Sequence, residues 1–135
     1  SSSAASYVYK RQLYYRAKAY TKQKADKKAM EDYRELAKDT RNSYGAEAKY
    51  QVAQSLYDAK EYAAAEKELL NYIEQSTPHA YWLARSFILL SDVYHATGKD
   101  LDARQYLLSL QQNYQGNDDI ESMIESRLSK LKVEN

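Results

Sequence analysis

The side chains able to do chemistry are few. His79 and His95 are the only imidazoles, and there is no cysteine. That excludes disulfides, thiolate nucleophiles and Cys-ligated zinc. His79 follows Pro78 at an expected helix start, which suits capping or a surface position better than a general base. His95 follows Tyr94 near an expected helix end, where a solvent-facing or groove-lining place is favoured over catalysis. Asn117-Asp118-Asp119 with Glu121 is acidic enough to suggest calcium. The spacing fails the EF-hand template, and helix capping accounts for it more simply. No H-E-x-x-H, G-x-G-x-x-G or G-x-x-x-x-G-K-[ST] occurs. Without a convergent nucleophile, base or metal, the expectation is a protein that is not an enzyme and uses no cofactor or metal. What the chain has in excess is tyrosine, 15 residues against one Phe and one Trp. Tyrosine offers rigid contact area with a polar tip, a surface for binding rather than turnover.

Charge narrows the partner. Formal net charge is +1, so no chain-wide attraction to nucleic acid or anionic membrane is expected. The distribution is uneven: residues 1–28 carry eight basic residues and one acid, net +7, and the remainder is net −6. A basic first helix with Tyr7, Tyr9, Tyr14, Tyr15 and Tyr20 could bind RNA by stacking and phosphate contact. A solvated face, or contact with an acidic neighbour, is the favoured account, so nucleic acid is the alternative and protein or peptide the expected partner. No apolar run is long enough to cross a membrane, and no signal peptide is visible. The chain begins at Ser1 rather than Met and is read as a fragment of something longer.

The elements that position these residues are helical. Apolar residues recur three and four apart, and three glycines and one proline leave little turn chemistry for a sandwich or barrel. Seven helices are expected, over about 5–23, 26–41, 44–59, 62–76, 79–97, 100–114 and 118–132. Ser76-Thr77-Pro78 marks one boundary and Gly98 reads as a left-handed C-cap. Aligning Ala29, Ala65 and Ala103 exposes a repeat with offsets of 36 and 38 residues. Upstream fall Ala17, Ala53 and Ser91, then Tyr20, Leu56 and Tyr94. Downstream fall Tyr33, Leu69 and Leu107, then Leu36, Tyr72 and Leu110. Small residues let paired helices approach while large ones interdigitate.

These columns resemble the tetratricopeptide repeat. The second unit matches through Ala53, Leu56, Tyr62, Ala65, Leu69 and Pro78. The third matches through Phe87, Ser91, Tyr94, Gly98, Ala103 and Leu107. The first is weaker, with Leu13, Ala17, Tyr20, Ala29, Tyr33 and Leu36. Lys24 and Lys60 stand where the family places a turn glycine, and Asp26 and Asp100 where it places a turn tyrosine. The resemblance implies one all-α domain over 1–135, a right-handed α-solenoid of about three helix pairs (repeats about 10–43, 46–79 and 84–117) plus a terminal helix, 118–132, either capping or opening a next repeat. It implies a noncatalytic protein-protein interaction scaffold that holds a protein segment on its concave face, or docks on further repeats of its parent. In flavour it is similar to the C-terminal repeats of long bacterial proteins of this family, which tilts the expected compartment slightly to the periplasmic side of the cell envelope. The oligomeric state is left open.

Carried over by the resemblance, the groove comprises Arg11, Tyr14, Lys18, Thr21 and Lys22, then Glu47, Tyr50, Gln54, Tyr57 and Asp58, then Arg85, Ile88, Asp92, His95 and Ala96. Tyr14 and Tyr50 stand equally well as packing between repeats. The carboxylate clamp of one subclass is not met, since Tyr14 with Lys18 and Tyr50 with Gln54 occupy its places.

Overall fold

A computed structural model describes the backbone of residues 2–132. Seven helices and no strand occur among the described residues: α1 (Ser2–Lys22), α2 (Asp26–Leu36), α3 (Ser43–Asp58), α4 (Tyr62–Glu74), α5 (Ala80–Ala96), α6 (Asp100–Asn113) and α7 (Ile120–Leu128). The fold is therefore all-α. Every helix packs on the next in sequence, and α1, α3, α5 and α7 also pack each on the next of their set. Among the described residues no helices further apart in sequence touch.

The repeat columns are the reason. Ala17, Ala53, Ala65 and Ala103 are fully buried, with Ser91 and Ala29 nearly so. Around them Tyr33, Leu36, Leu69, Tyr72, Leu107 and Leu110 are buried. Tyr20, Leu56 and Tyr94 are half-buried and packed on the same clusters. The core runs along the chain as three clusters, one shared by α1–α3, one by α3–α5 and one by α5–α7. Burying one helix face against the pair before it gives continuous apolar burial from contacts that are local in sequence.

Three turns share one geometry. Lys24 and Lys60 both adopt φ 60° and Gly98 adopts φ 79°, all in the left-handed region. In each case the next amide donates back to the carbonyl five residues earlier: Ala25 to Tyr20, Glu61 to Leu56 and Lys99 to Tyr94, at 2.8, 2.9 and 2.8 Å. This is a Schellman-type helix end. A side chain at such a φ costs about 1–2 kcal/mol, so Lys24 and Lys60 are local compromises that the pairing of the flanking helices sustains.

Helix ends depart from the sequence expectation at two places. Helix α2 stops at Leu36 rather than near 41. The segment after it is held by side chains: Asn42 Oδ1 accepts from the amides of Tyr44 and Gly45, capping α3. Thr77 Oγ1 donates to the Thr40 carbonyl at 3.1 Å, and His79 Nε2 donates to the Arg41 carbonyl at 2.7 Å. His79 thus ties the α2–α3 loop to the α4–α5 loop and makes no side-chain cap on α5. Helix α7 covers only 120–128, not 118–132: Asp118 Oδ1 instead accepts the Ile120 amide, and Leu131 folds back onto the α5–α7 core.

Three stability outcomes follow. Lys60→Gly should raise stability by about 0.5–1 kcal/mol and Gly98→Ala should lower it by about 1 kcal/mol, both read from urea melts. At Gly45 a Cβ would lie 1.8 Å from the Asp39 carbonyl oxygen. Gly45→Ala should therefore cost about 3 kcal/mol, visible as a Tm fall of roughly 10 °C.

Candidate functional site

The face shared by α1, α3, α5 and α7 carries most of the sequence-derived groove residues. Lys18, Lys22, Asp58 and His95 are exposed on it, Tyr14, Glu47, Gln54, Tyr57, Arg85 and Asp92 are half-buried, and Arg11 is exposed beside Val8 and Tyr15 of α1 instead. Two do not belong to any accessible surface. Ile88 is 1% exposed and packs with Ile120 and Ile124, and Tyr50 is 5% exposed. Both are corrected from groove-lining to packing between helices.

The physical reason lies in one column. Tyr14, Tyr50 and Ile88 occupy the same repeat position, and each meets the next odd-numbered helix. The Tyr14 hydroxyl donates to Glu47 Oε1 at 2.9 Å. Arg85 Nη2 donates to the Tyr50 hydroxyl at 2.9 Å, and its guanidinium lies 4.8 Å from the Tyr50 ring centre. Glu47 and Arg85 are themselves equivalent positions. In the third unit the strut is wholly apolar, because Ile88 faces Ile120 and Ile124 of α7. Lys18 adds an ion pair to Glu47 at 3.2 Å and sits 5.0 Å from the Tyr14 ring centre. Hydrogen bonding to Tyr14 and the charge of Glu47 raise the Lys18 ammonium above its ordinary value, so it stays protonated.

Two cavities open on this face, with Gln54 lining both. One, of about 350 Å³, lies between α3, α5 and α7 and brings together Gln54, Tyr57, Asp92 and His95. These four are among the residues the resemblance assigns to a groove; Ser91, assigned to a packing column, also lines the wall, and Arg127, Lys130 and Leu131 complete it without any sign in the repeat pattern. Their signal was present only in the third dimension, since α7 is a short helix whose face is fixed by where it docks on α5. The other cavity, of about 400 Å³, lies beneath the α1–α2 turn and takes in Thr21, Gln54 and Asp58. Between them runs a hydrogen-bonded row: the Tyr50 hydroxyl donates to Gln54 Oε1, and Gln54 Nε2 donates to Asp58 Oδ1, each at 2.9 Å.

The electrostatics of the cavity between α3, α5 and α7 are mixed. Arg127 Nε and Nη2 reach Asp92 at 3.3 and 3.4 Å, a long pair. Burial pushes the Asp92 carboxyl above its ordinary value, and the Arg127 guanidinium opposes this only in part. His95 Nδ1 lies 2.8 Å from Asp100 Oδ1, and the other Asp100 oxygen accepts the Lys132 amide at 2.9 Å. His95 is therefore engaged in holding the segment after α7. The Ser91 hydroxyl is buried without a hydrogen-bond partner. Among the described residues no cluster of three or more His, Asp or Glu has the arrangement to hold a metal ion.

Three of the eight basic residues at the start of the chain are paired within the fold. Lys10 pairs with Asp39 at 2.7 Å, Arg16 with the buried Asp32 at 2.6 Å, and Lys18 with Glu47. No helix among the described residues is long and apolar enough to cross a membrane.

The raised Asp92 value sets a pH dependence. A carboxyl whose folded value lies above its unfolded one favours folding most at low pH, and loses that contribution as pH rises through the folded value. Wild type should therefore gain stability relative to Asp92→Asn as pH falls from about 6 to about 4. Thermal melts of both across that range check it; a relative loss on acidification would show that the Arg127 pair outweighs burial. No protein-family model matches the chain, and no curated protein matches it either.

Proposed function

We propose that this chain is a tetratricopeptide-type domain spanning 1–135, a right-handed α-solenoid that acts as a noncatalytic scaffold for protein-protein interaction. The observation that carries the reading is the convergence of Gln54, Tyr57, Asp92 and His95, from two helices, on one polar cavity completed by α7. The three matching helix-pair turns and the packing of α1, α3, α5 and α7 in succession support the superhelical reading. The ligand is a peptide or protein segment lying across the odd-numbered helices. Lys22 and Lys130, which make no ion pair among the described residues, supply charge, and Tyr57 supplies contact area. A place within a larger chain or complex, on the periplasmic side of a bacterial envelope, belongs to the same proposal.

RNA binding through α1 remains the second reading, supported by the guanidinium of Arg11 lying 5.4 Å from the ring centre of exposed Tyr15. The pairing of Lys10, Arg16 and Lys18 weighs against it.

Affinity capture from the native organism, read by mass spectrometry, tests the scaffold. Wild-type protein should retain a protein partner, and Tyr57→Ala combined with Lys130→Glu should reduce capture at least about tenfold with helix content by circular dichroism unchanged. Equal capture by the double variant would reject this face. Salt-sensitive binding of single-stranded RNA would favour the second reading.

A further inference from the structure

The face of α1 turned away from the rest of the molecule is built like a buried one. Two of the five large apolar or aromatic residues most exposed among the described residues lie on it, Val8 at 52% and Tyr15 at 55%, and Tyr7 beside it packs its ring 5.9 Å from that of Tyr44. The repeat register says what such a face does elsewhere in the chain. Val8, Tyr44 and Trp82 share one column, Arg11, Glu47 and Arg85 another, and Tyr15, Gln51 and Leu89 a third.

In α3 and α5 these positions are covered by the preceding pair. The Tyr44 ring lies 4.7 Å from that of Tyr14, and the Trp82 ring 5.5 Å from that of Tyr50. Arg85 stacks on and hydrogen-bonds Tyr50, and Leu89 is 2% exposed in the core shared with α3 and α4. On α1 the same register offers a bulky apolar residue, an arginine and a second large residue, Val8, Arg11 and Tyr15. The guanidinium of Arg11 stacks on Tyr15 of its own helix, 5.4 Å from the ring centre. The outward side of α7 differs: Glu121, Ser122, Glu125 and Ser126 are all exposed and polar.

We propose that the α1 face bearing Val8, Arg11 and Tyr15 is a docking surface for a helix pair of the α3–α4 kind, one that presents a tyrosine ring to Arg11 and Val8 as Tyr50 does to Arg85 and Trp82. The continuity of the register commits the occupant to this chemistry. A second copy of this chain cannot supply its own α3–α4 pair, because α5 already covers it. The inference stands on helix packing and does not depend on the groove reading above.

A graft tests it. Residues 43–79 are placed directly ahead of Ser6 of the chain, so that the added Tyr50 precedes Arg11 by the same 35 residues that separate Tyr50 from Arg85. The grafted protein should melt at least about 5 °C higher, and amide exchange over residues 8–20 should slow at least about tenfold. Arg11→Glu with Tyr15→Glu should erase both gains in the graft and leave the Tm of the unmodified chain unchanged. An unmoved Tm with unchanged exchange overturns the proposal, and a graft that stays unfolded counts the same way. Sedimentation velocity of the unmodified chain should show a monomer. Concentration-dependent dimers abolished by Tyr15→Glu would assign the face to a second copy and overturn the proposed occupant.

Discussion

Close approach of paired helices at small residues is the constraint on which the rest depends. Ala17, Ala53 and Ser91 on the first helices, and Ala29, Ala65 and Ala103 on the second, leave no room for a larger side chain. Once the backbones are that close, the large residues one turn away must interdigitate. The outer faces of each pair are then left to be covered by the next odd-numbered helix. Ser91 keeps the small size while leaving a buried hydroxyl without a partner, so size outranks polarity at this position.

Stacking of the pairs uses a different currency in each layer. Tyr14 with Glu47, Tyr50 with Arg85, and Ile88 with Ile120 and Ile124 do the same geometric work through a hydrogen bond, a stacked guanidinium and an apolar contact. The side chains differ because the contact needs a bulky group that spans the gap, and an aromatic with a polar tip or a branched aliphatic both meet that need. The 15 tyrosines therefore divide by depth. Tyr33 and Tyr72 are core, Tyr14 and Tyr50 are struts, Tyr57 lines the cavity, and Tyr7, Tyr9 and Tyr15 are exposed.

Charge follows the same logic. Part of the basic charge of the first 28 residues lies against acids of the fold. Asp32, Asp39 and Glu47 take up Arg16, Lys10 and Lys18. Of these acids only Asp32 is buried, held by two hydrogen bonds from the exposed Arg16, while Asp39 and Glu47 are half-buried. The near-neutral total is the balance of 20 basic and 19 acidic residues over the whole chain.

The sequence by itself determined the helices, their number and the columns that bury them, because periodicity and residue size are local properties that packing reads directly. Ala53, Ala65 and Leu69 could be placed in the core from spacing alone. So could the left-handed turn at Gly98, where only backbone freedom was in question. What only the tertiary structure decided was orientation across pairs. Tyr14, Tyr50 and Ile88 share a column whose side chains point to the next helix, and no spacing within one helix distinguishes that direction from the groove. The wall formed by Arg127, Lys130 and Leu131 was likewise invisible, since it exists only where α7 and the segment after it fold back on α5. So was the uncovered state of Val8, Arg11 and Tyr15. Exposure is a property of what lies opposite a residue, and residue type does not encode it.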